Sequence, residues 1–280
     1  VTTVADASVL LETDRGRFAA LRAGEGEPVV LVPGYLGSKE DFAPLLPVLA
    51  EPGFAAWAVD HHGQHESPGS DDPSAYTLSA MAQDLLAVVD QVGEGAPAHV
   101  VAHCAGAAVA HAAAVACPRS VRSLTSLGSL LSGSDRETGF LTWCADAVAA
   151  EGPAGLATLV EHWAREQPDR LDLMTTRLST TRAGHLIGFA RLLCGPRAGI
   201  GELAGSGVPL LFVHGMDDEF TGSHAEYQRL AKRFGRDAVG VPGAGHCVQL
   251  DRPQETAAAL TGFWRAVPAD RRPAPAAGGR

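Results

Sequence analysis

The chain has 280 residues, 46% hydrophobic and 19% charged, which suits one large α/β domain with a sizeable core. Its formal net charge of −10 argues against a nucleic-acid binder, because no basic surplus exists to neutralise phosphates. The opening stretch VTTVADASVLLETD has no basic segment ahead of an apolar core, so no signal peptide is expected. The five cysteines, 104, 117, 144, 194 and 247, form no CxxC pair and read as free thiols in a reducing cytoplasm.

In chain order, SVLLETDRGRFAALRAG predicts two short strands around Asp14-Arg15-Gly16, and PVVLVPG (28–34) predicts a buried strand. A helix is expected over 39–53, with Asp41 as N-cap, Pro44 in its first turn, Pro47 as a possible kink and Pro52-Gly53 as its stop. FAAWAVD (54–60) is the next strand, followed by a histidine-rich loop and a helix from Thr77 to Val92. The most apolar window, 98–117, contains His99, His103 and His111. It reads as a strand (98–103), a turn and a helix (105–116), not a membrane span. A strand over 121–129 follows.

The period then changes. Residues 131–207 read as an inserted helical cap, broken by Gly152-Pro153, Pro168 and Gly195-Pro196. VPLLFVHG (208–215) resumes the strand pattern. A helix near 223–234, a short strand AVGVP and a last helix near 254–266 complete the alternation, so the core is 1–130 together with 208–267. The Pro/Ala/Gly/Arg-rich tail, 268–280, is expected to be disordered. Alternating strands and helices imply a mostly parallel sheet covered on both faces.

On such a sheet, reactive groups sit beyond the carboxyl ends of the strands. AHCAGA (102–107) is a strand-to-helix turn with Cys104 at its centre. Ala102 and Gly106 supply the small residues that a sharp turn needs, and the start of a helix favours a thiolate. HGMDDE places Asp217 and Asp218 after a strand, and GAGHCVQLDRP places His246 on a Gly-rich loop before the last helix.

Taken in order, these segments resemble the α/β-hydrolase superfamily over nearly the whole chain. LVPGYLGS resembles its first oxyanion loop, with Pro33-Gly34 where His-Gly is usual, and VDHHGQHES resembles the loop after the next strand. The resemblance implies an α/β-hydrolase fold with an inserted helical cap and a nucleophile–acid–base order of Cys104, Asp218 and His246. Asp218 fits the Gly-X-X-Asp spacing better than Asp217. The resemblance also implies oxyanion donors at the backbone N–H groups of Tyr35 and Ala105, with Leu36 as the alternative to Tyr35. Departures are Cys104 for serine, Ala102 for glycine, and His62 for the arginine of the second loop, a structural position.

A thiol at this place suits a narrow chemistry. The acyl-enzyme would itself be a thioester, so exchange with a thioester substrate is nearly thermoneutral and runs in either direction. Cysteine-nucleophile members of the superfamily include thioesterase-like enzymes, acyl or aminoacyl shuttles serving carrier proteins of natural-product biosynthesis, and the more compact dienelactone hydrolases. The long cap favours the first two. The expected function is therefore acyl transfer from carrier-protein or CoA thioesters, without a cofactor. The alternatives are a cysteine hydrolase of small esters or lactones, and a catalytically silent binding protein.

From Leu173 to Gly201 the cap holds Arg177, Arg182, Arg191 and Arg197 and no acid, which would suit docking of an acidic carrier protein. The competing reading is a solvated face whose arginines pair with acids elsewhere. Trp143 and Phe189, with Trp163 and Met174, are expected as cap core or pocket lining. His61, His62, His65 and Glu66 are not expected to bind a metal, and Cys247 is expected to point away from the site and pack.

Overall fold

A computed structural model describes residues 8–129, 135–166, 168–195 and 200–268. The N-terminal hairpin consists of β1 (Val9–Thr13) and β2 (Gly16–Ala23), and β3 (Glu27–Val32) follows. The single helix expected over 39–53 is instead a 3₁₀ turn, Lys39–Phe42, and a short α1 (Leu46–Ala50). Ser38, not Asp41, precedes the turn, and Asp41 accepts the Ser38 N–H at 3.2 Å. Pro47 lies in the first turn of α1, where its missing N–H costs nothing, so it starts a helix and does not kink one.

Next come β4 (Phe54–Val59), α2 (Leu78–Gly93), β5 (Ala98–His103), α3 (Gly106–Ala116) and β6 (Val121–Leu127). The side chain of Thr77 caps α2 by accepting the Ala80 N–H at 3.1 Å. After β6 the described elements are helical: α4 (Asp135–Glu151), α5 (Ala157–Glu166), α6 (Leu171–Thr180), α7 (Ala183–Cys194) and α8 (Ile200–Gly205). The chain ends with β7 (Leu210–Gly215), α9 (His224–Lys232), β8 (Val239–Val241), a four-residue α10 (Val248–Asp251) and α11 (Pro253–Arg265). The α10 turn has no counterpart in the sequence reading. Residues 269–280, most of the tail read as disordered, lie outside the described residues.

The strands form one sheet in the order β1-β2-β4-β3-β5-β6-β7-β8. Pairs involving β2 are antiparallel, and every pair from β4 to β8 is parallel. Alternate residues feed opposite cores. Val30, Val32, Val100, Ala102 and Phe212 face α2 and α3, while Val29, Leu31, Val101 and Val213 face α1 and α11. Burial on both faces is why these strands read as continuous apolar runs. Each fully buried valine or leucine contributes about 1.5–3 kcal/mol.

The histidines of the apolar window are buried with partners. His99 bonds Ser123 (2.6 Å) and Glu27 (3.0 Å), and His111 bonds Ser126 (2.7 Å).

Leu141, Cys144, Ala145 and Val148 form a helical stripe on α4 that packs against α7. The helical segment is stitched to the loops after β3 and β4. Tyr35 donates its hydroxyl to the Leu186 carbonyl (2.8 Å), Arg182 N–H bonds the Gly63 carbonyl (2.9 Å), and His185 bonds the His62 carbonyl (2.9 Å). No helix among the described residues is long and apolar enough to cross a membrane.

Candidate active site

Strand β5 ends at His103 and α3 begins at Gly106, so the chain turns within two residues. Cys104 absorbs the reversal with φ +50°, a backbone region that non-glycine residues rarely adopt. Two glycines let this happen. A Cβ on Gly106 would lie 2.3 Å from the Pro33 carbonyl oxygen, and one on Gly34 would lie 2.9 Å from the Cys104 Cβ. Strand end, the Cys104 turn and the first loop therefore close on one another only without side chains at these places.

His246 and Asp218 converge on this turn. The Nδ1–H of His246 donates to Asp218 Oδ2 at 3.0 Å, and the ring lines one cavity with Cys104. Asp218 also accepts the N–H groups of Phe220 (2.8 Å) and Thr221 (3.3 Å) and the Thr221 hydroxyl (2.6 Å). The Tyr227 hydroxyl, 2.8 Å from Thr221 Oγ1, completes a chain behind the acid.

Burial alone would raise the Asp218 carboxyl, but the His246 ring and the Thr221 and Phe220 donors outweigh it and hold the group at about 2. Burial alone would lower His246, but the neighbouring Cys104 and the Asp218 carboxylate push it up to about 10.

His103 occupies the position before Cys104. Its ring stacks obliquely on His246 at 4.8 Å, and its Nε2–H donates to the His246 carbonyl at 3.0 Å. Burial holds it down at about 3, so it stays neutral and shapes the loop that carries His246.

Gly34 to Gly37 form a turn closed by Gly37 N–H to the Gly34 carbonyl at 3.1 Å. The backbone N–H groups of Tyr35, Leu36 and Ala105 have no acceptor among the described residues, so the structure leaves both Tyr35 and Leu36 free as donors. The loop is held from several sides. His61 donates to the Pro33 carbonyl (3.2 Å), Gln64 to the Gly34 carbonyl (2.9 Å), and Arg177 to the Leu36 carbonyl (3.0 Å).

A cavity of about 790 Å³ opens over Cys104 and His246. Of the cap residues singled out from sequence as contacts, Arg177 lines it. Of the two readings of the cap arginines, Arg177 follows the pairing one: it is 6% exposed and pairs with Asp41 at 2.7 Å, so it is unavailable to a docking partner. Phe189 is fully buried against Tyr35, His61 and His185, away from the cavity. Trp143 is 42% exposed on the outer side of α4. Arg182 stands 3.6 Å from Asp71 on the surface, Arg191 is exposed outside the cavity, and Arg197 lies outside the described residues.

Trp163 and Met174, expected as cap core or pocket lining, do line the cavity, together with Phe140, Leu159, Leu173, Phe220, Arg136 and Arg170. Phe220 was missed because it lies on the acid loop, and the Phe140 ring reaches it at 6.1 Å across a sequence gap that no periodicity reveals. Cys247 also lines the cavity, contrary to the expectation that it points away. Its place just before α10 turns it inward, and burial pushes its thiol up. Cys144 is buried with its thiol held up to about 12, and neither it nor the exposed Cys194 lines the cavity.

The histidine-rich loop does not converge on one point. His61 faces Pro33, His65 Nδ1 bonds Thr180 (2.8 Å), and His62 is 3.6 Å from Asp84. Glu40, His65 and Glu66 do gather, but the buried Lys39 ammonium takes their charge. It lies 2.8 Å from Glu40, 2.8 Å from Asp60 and 2.7 Å from Glu66.

Comparison with known proteins agrees with this architecture. Residues 29–259 match the profile of the "Alpha/beta hydrolase family". A thermophilic esterase from Thermogutta terrifontis superposes with a TM-score of 0.77 at 22% identity, covering 93% of this chain and 99% of that one. Epoxide hydrolase A from Mycobacterium thermoresistibile gives 0.72 at 22%, covering 95% and 99%. The thioesterase domain from the curacin biosynthetic pathway gives 0.69 at 17%, covering 92% and 99%. At these identities the likeness is one of fold.

Proposed function

The chain belongs to the alpha/beta hydrolase family, and from that premise we propose a cysteine-dependent acyl-transfer enzyme acting on thioesters. The observation that carries the reading is that Cys104, at a turn where it takes φ +50°, lines one cavity with His246, whose ring donates to Asp218 at 3.0 Å. Cys104 Sγ, as thiolate, attacks the thioester carbonyl. The oxyanion that forms is held by the N–H of Ala105 and that of Tyr35, with Leu36 beside it. His246 passes its Nε2 proton to the departing thiolate, and the acyl group stays on Cys104 as a thioester. An acceptor thiol then gives its proton to His246 and attacks, reversing the steps. Asp218 holds the ring throughout.

A serine would move the acyl group into a more stable ester. A cysteine keeps it at thioester energy, ready for a second thiol. The paired and solvent-shielded Asp218 supports an active triad over a silent binding protein. Docking of an acidic carrier protein on the cap arginines receives little support, since Arg177 and Arg182 already face acids.

The test compares a thioester and an oxoester of one acyl group, with and without an added thiol. The reading expects kcat/KM for the thioester to exceed that for the oxoester by at least about tenfold, with turnover raised by the thiol acceptor. Preference for the oxoester, or turnover indifferent to added thiol, would point to a cysteine hydrolase of small esters or lactones.

A further inference from the structure

Charged side chains of both signs face the cavity. Among the described residues its acids are Glu40, which shares the Lys39 ammonium with Asp60 and Glu66, and Asp41, matched by Arg177 at 2.7 Å. Two further cations line the same space. Arg136, exposed at the cavity rim, has no acid partner among the described residues. Arg170 makes a long ion pair, 3.7 Å, with Asp251 Oδ1, while the Gly245 N–H bonds the other carboxylate oxygen at 2.9 Å. Both arginines line the cavity inside a chain of net charge −10 whose long-range field repels anions. The same cavity is lined by the apolar side chains of Phe140, Leu159, Trp163 and Met174.

We propose that this cavity selects an acyl substrate carrying an anionic group, held by Arg136 and Arg170 while the apolar wall takes the chain between that anion and the reacting carbonyl. Guanidinium groups pair with carboxylate or phosphate through parallel N–H donors, and an apolar wall around them strengthens the pairing. The anion has two possible sources, the far end of the acyl chain or a phosphate on the thiol arm, and they share this chemistry. For its substrate the inference rests on the acyl-transfer reading. For its binding site it does not.

The kinetic arm uses three thioesters: octanoyl-N-acetylcysteamine, octanoyl-phosphopantetheine, and the N-acetylcysteamine monothioester of octanedioic acid. At least one charged substrate should exceed the neutral one in kcat/KM by about tenfold, and which of them does so locates the anion. Arg136→Gln and Arg170→Gln should each cut the charged-to-neutral ratio by about threefold or more. A ratio near unity for both charged substrates, or one that neither variant changes, overturns the proposal.

The binding arm is calorimetry of octanoate and octyl phosphate against octan-1-ol on the unmodified protein at low and high salt. Tighter, salt-weakened binding of an anion is expected, and equal binding of all probes overturns the site. If no thioester is turned over but an anion still binds preferentially, the acyl-transfer reading fails and the anion site stands.

Discussion

The Nε2–H of His103 donates to the backbone carbonyl of His246 at 3.0 Å, so the residue before Cys104 fixes the loop that carries His246. Because burial holds His103 down at about 3, it stays neutral over the working range and adds no ionisation of its own. His103→Phe keeps the ring and removes the bond. It is expected to lower kcat about tenfold with little change in KM, leaving the shape of the pH profile intact above pH 4. Steady-state kinetics across pH checks this, and a new ionisation limb in the variant would show that His103 does more than position the loop.

Gly106→Ala drives a Cβ to 2.3 Å from the Pro33 carbonyl oxygen, a backbone atom that cannot swing aside. The elbow and the oxyanion loop must then separate. Urea unfolding is expected to show a loss on the order of 2 kcal/mol or more, with activity falling further than stability. A variant of native stability and full activity would mean that the close approach is not needed.

Ionisation of the triad ties stability to pH in two windows. The folded His246 value of about 10 lies above its ordinary 6.5, so its contribution is full below pH 6.5 and is lost as pH rises through about 10. The folded Asp218 value of about 2 lies below its ordinary 3.8, so its contribution is full above that and is lost as pH falls through about 2. NMR of the His246 ring protons is expected to show wild-type titration near 10 and a fall toward the ordinary value in Cys104→Ala. Identical titrations in both proteins would remove the thiolate as a partner.

Arg177 joins α6 to the oxyanion loop through Asp41 and the Leu36 carbonyl, with 7% and 11% of the paired side chains exposed. Asp41→Asn leaves a buried guanidinium without its anion, and a loss of about 3–5 kcal/mol is expected in chemical denaturation. The surviving folded enzyme should lose kcat more than it gains KM, because the Leu36 peptide loosens. Unchanged stability would place the pair outside the fold's necessary contacts.

Most of the core was legible because its signals are local. Val29 to Val32 read as a strand from apolar continuity alone, and Cys104, Asp218 and His246 read from small-residue turns after strands. What was missed depends on distant partners. Asp41 has the chemistry of an N-cap but is taken by Arg177, which lies in α6, well over a hundred residues away. Phe189 has the composition of a pocket residue, yet α7 turns it against Tyr35 and His61. Cys247 faces the cavity because of a single turn of helix, too short to leave a periodic pattern.

The account rests on Cys104 carrying an acyl group, and intact-mass spectrometry after mixing with octanoyl-N-acetylcysteamine tests this most directly. The account predicts a mass increase of one acyl group on the wild-type protein, no increase in Cys104→Ala, and loss of the adduct to an added thiol faster than to water. An adduct that persists in Cys104→Ala, or turnover of the thioester with no adduct dependent on Cys104, would contradict it.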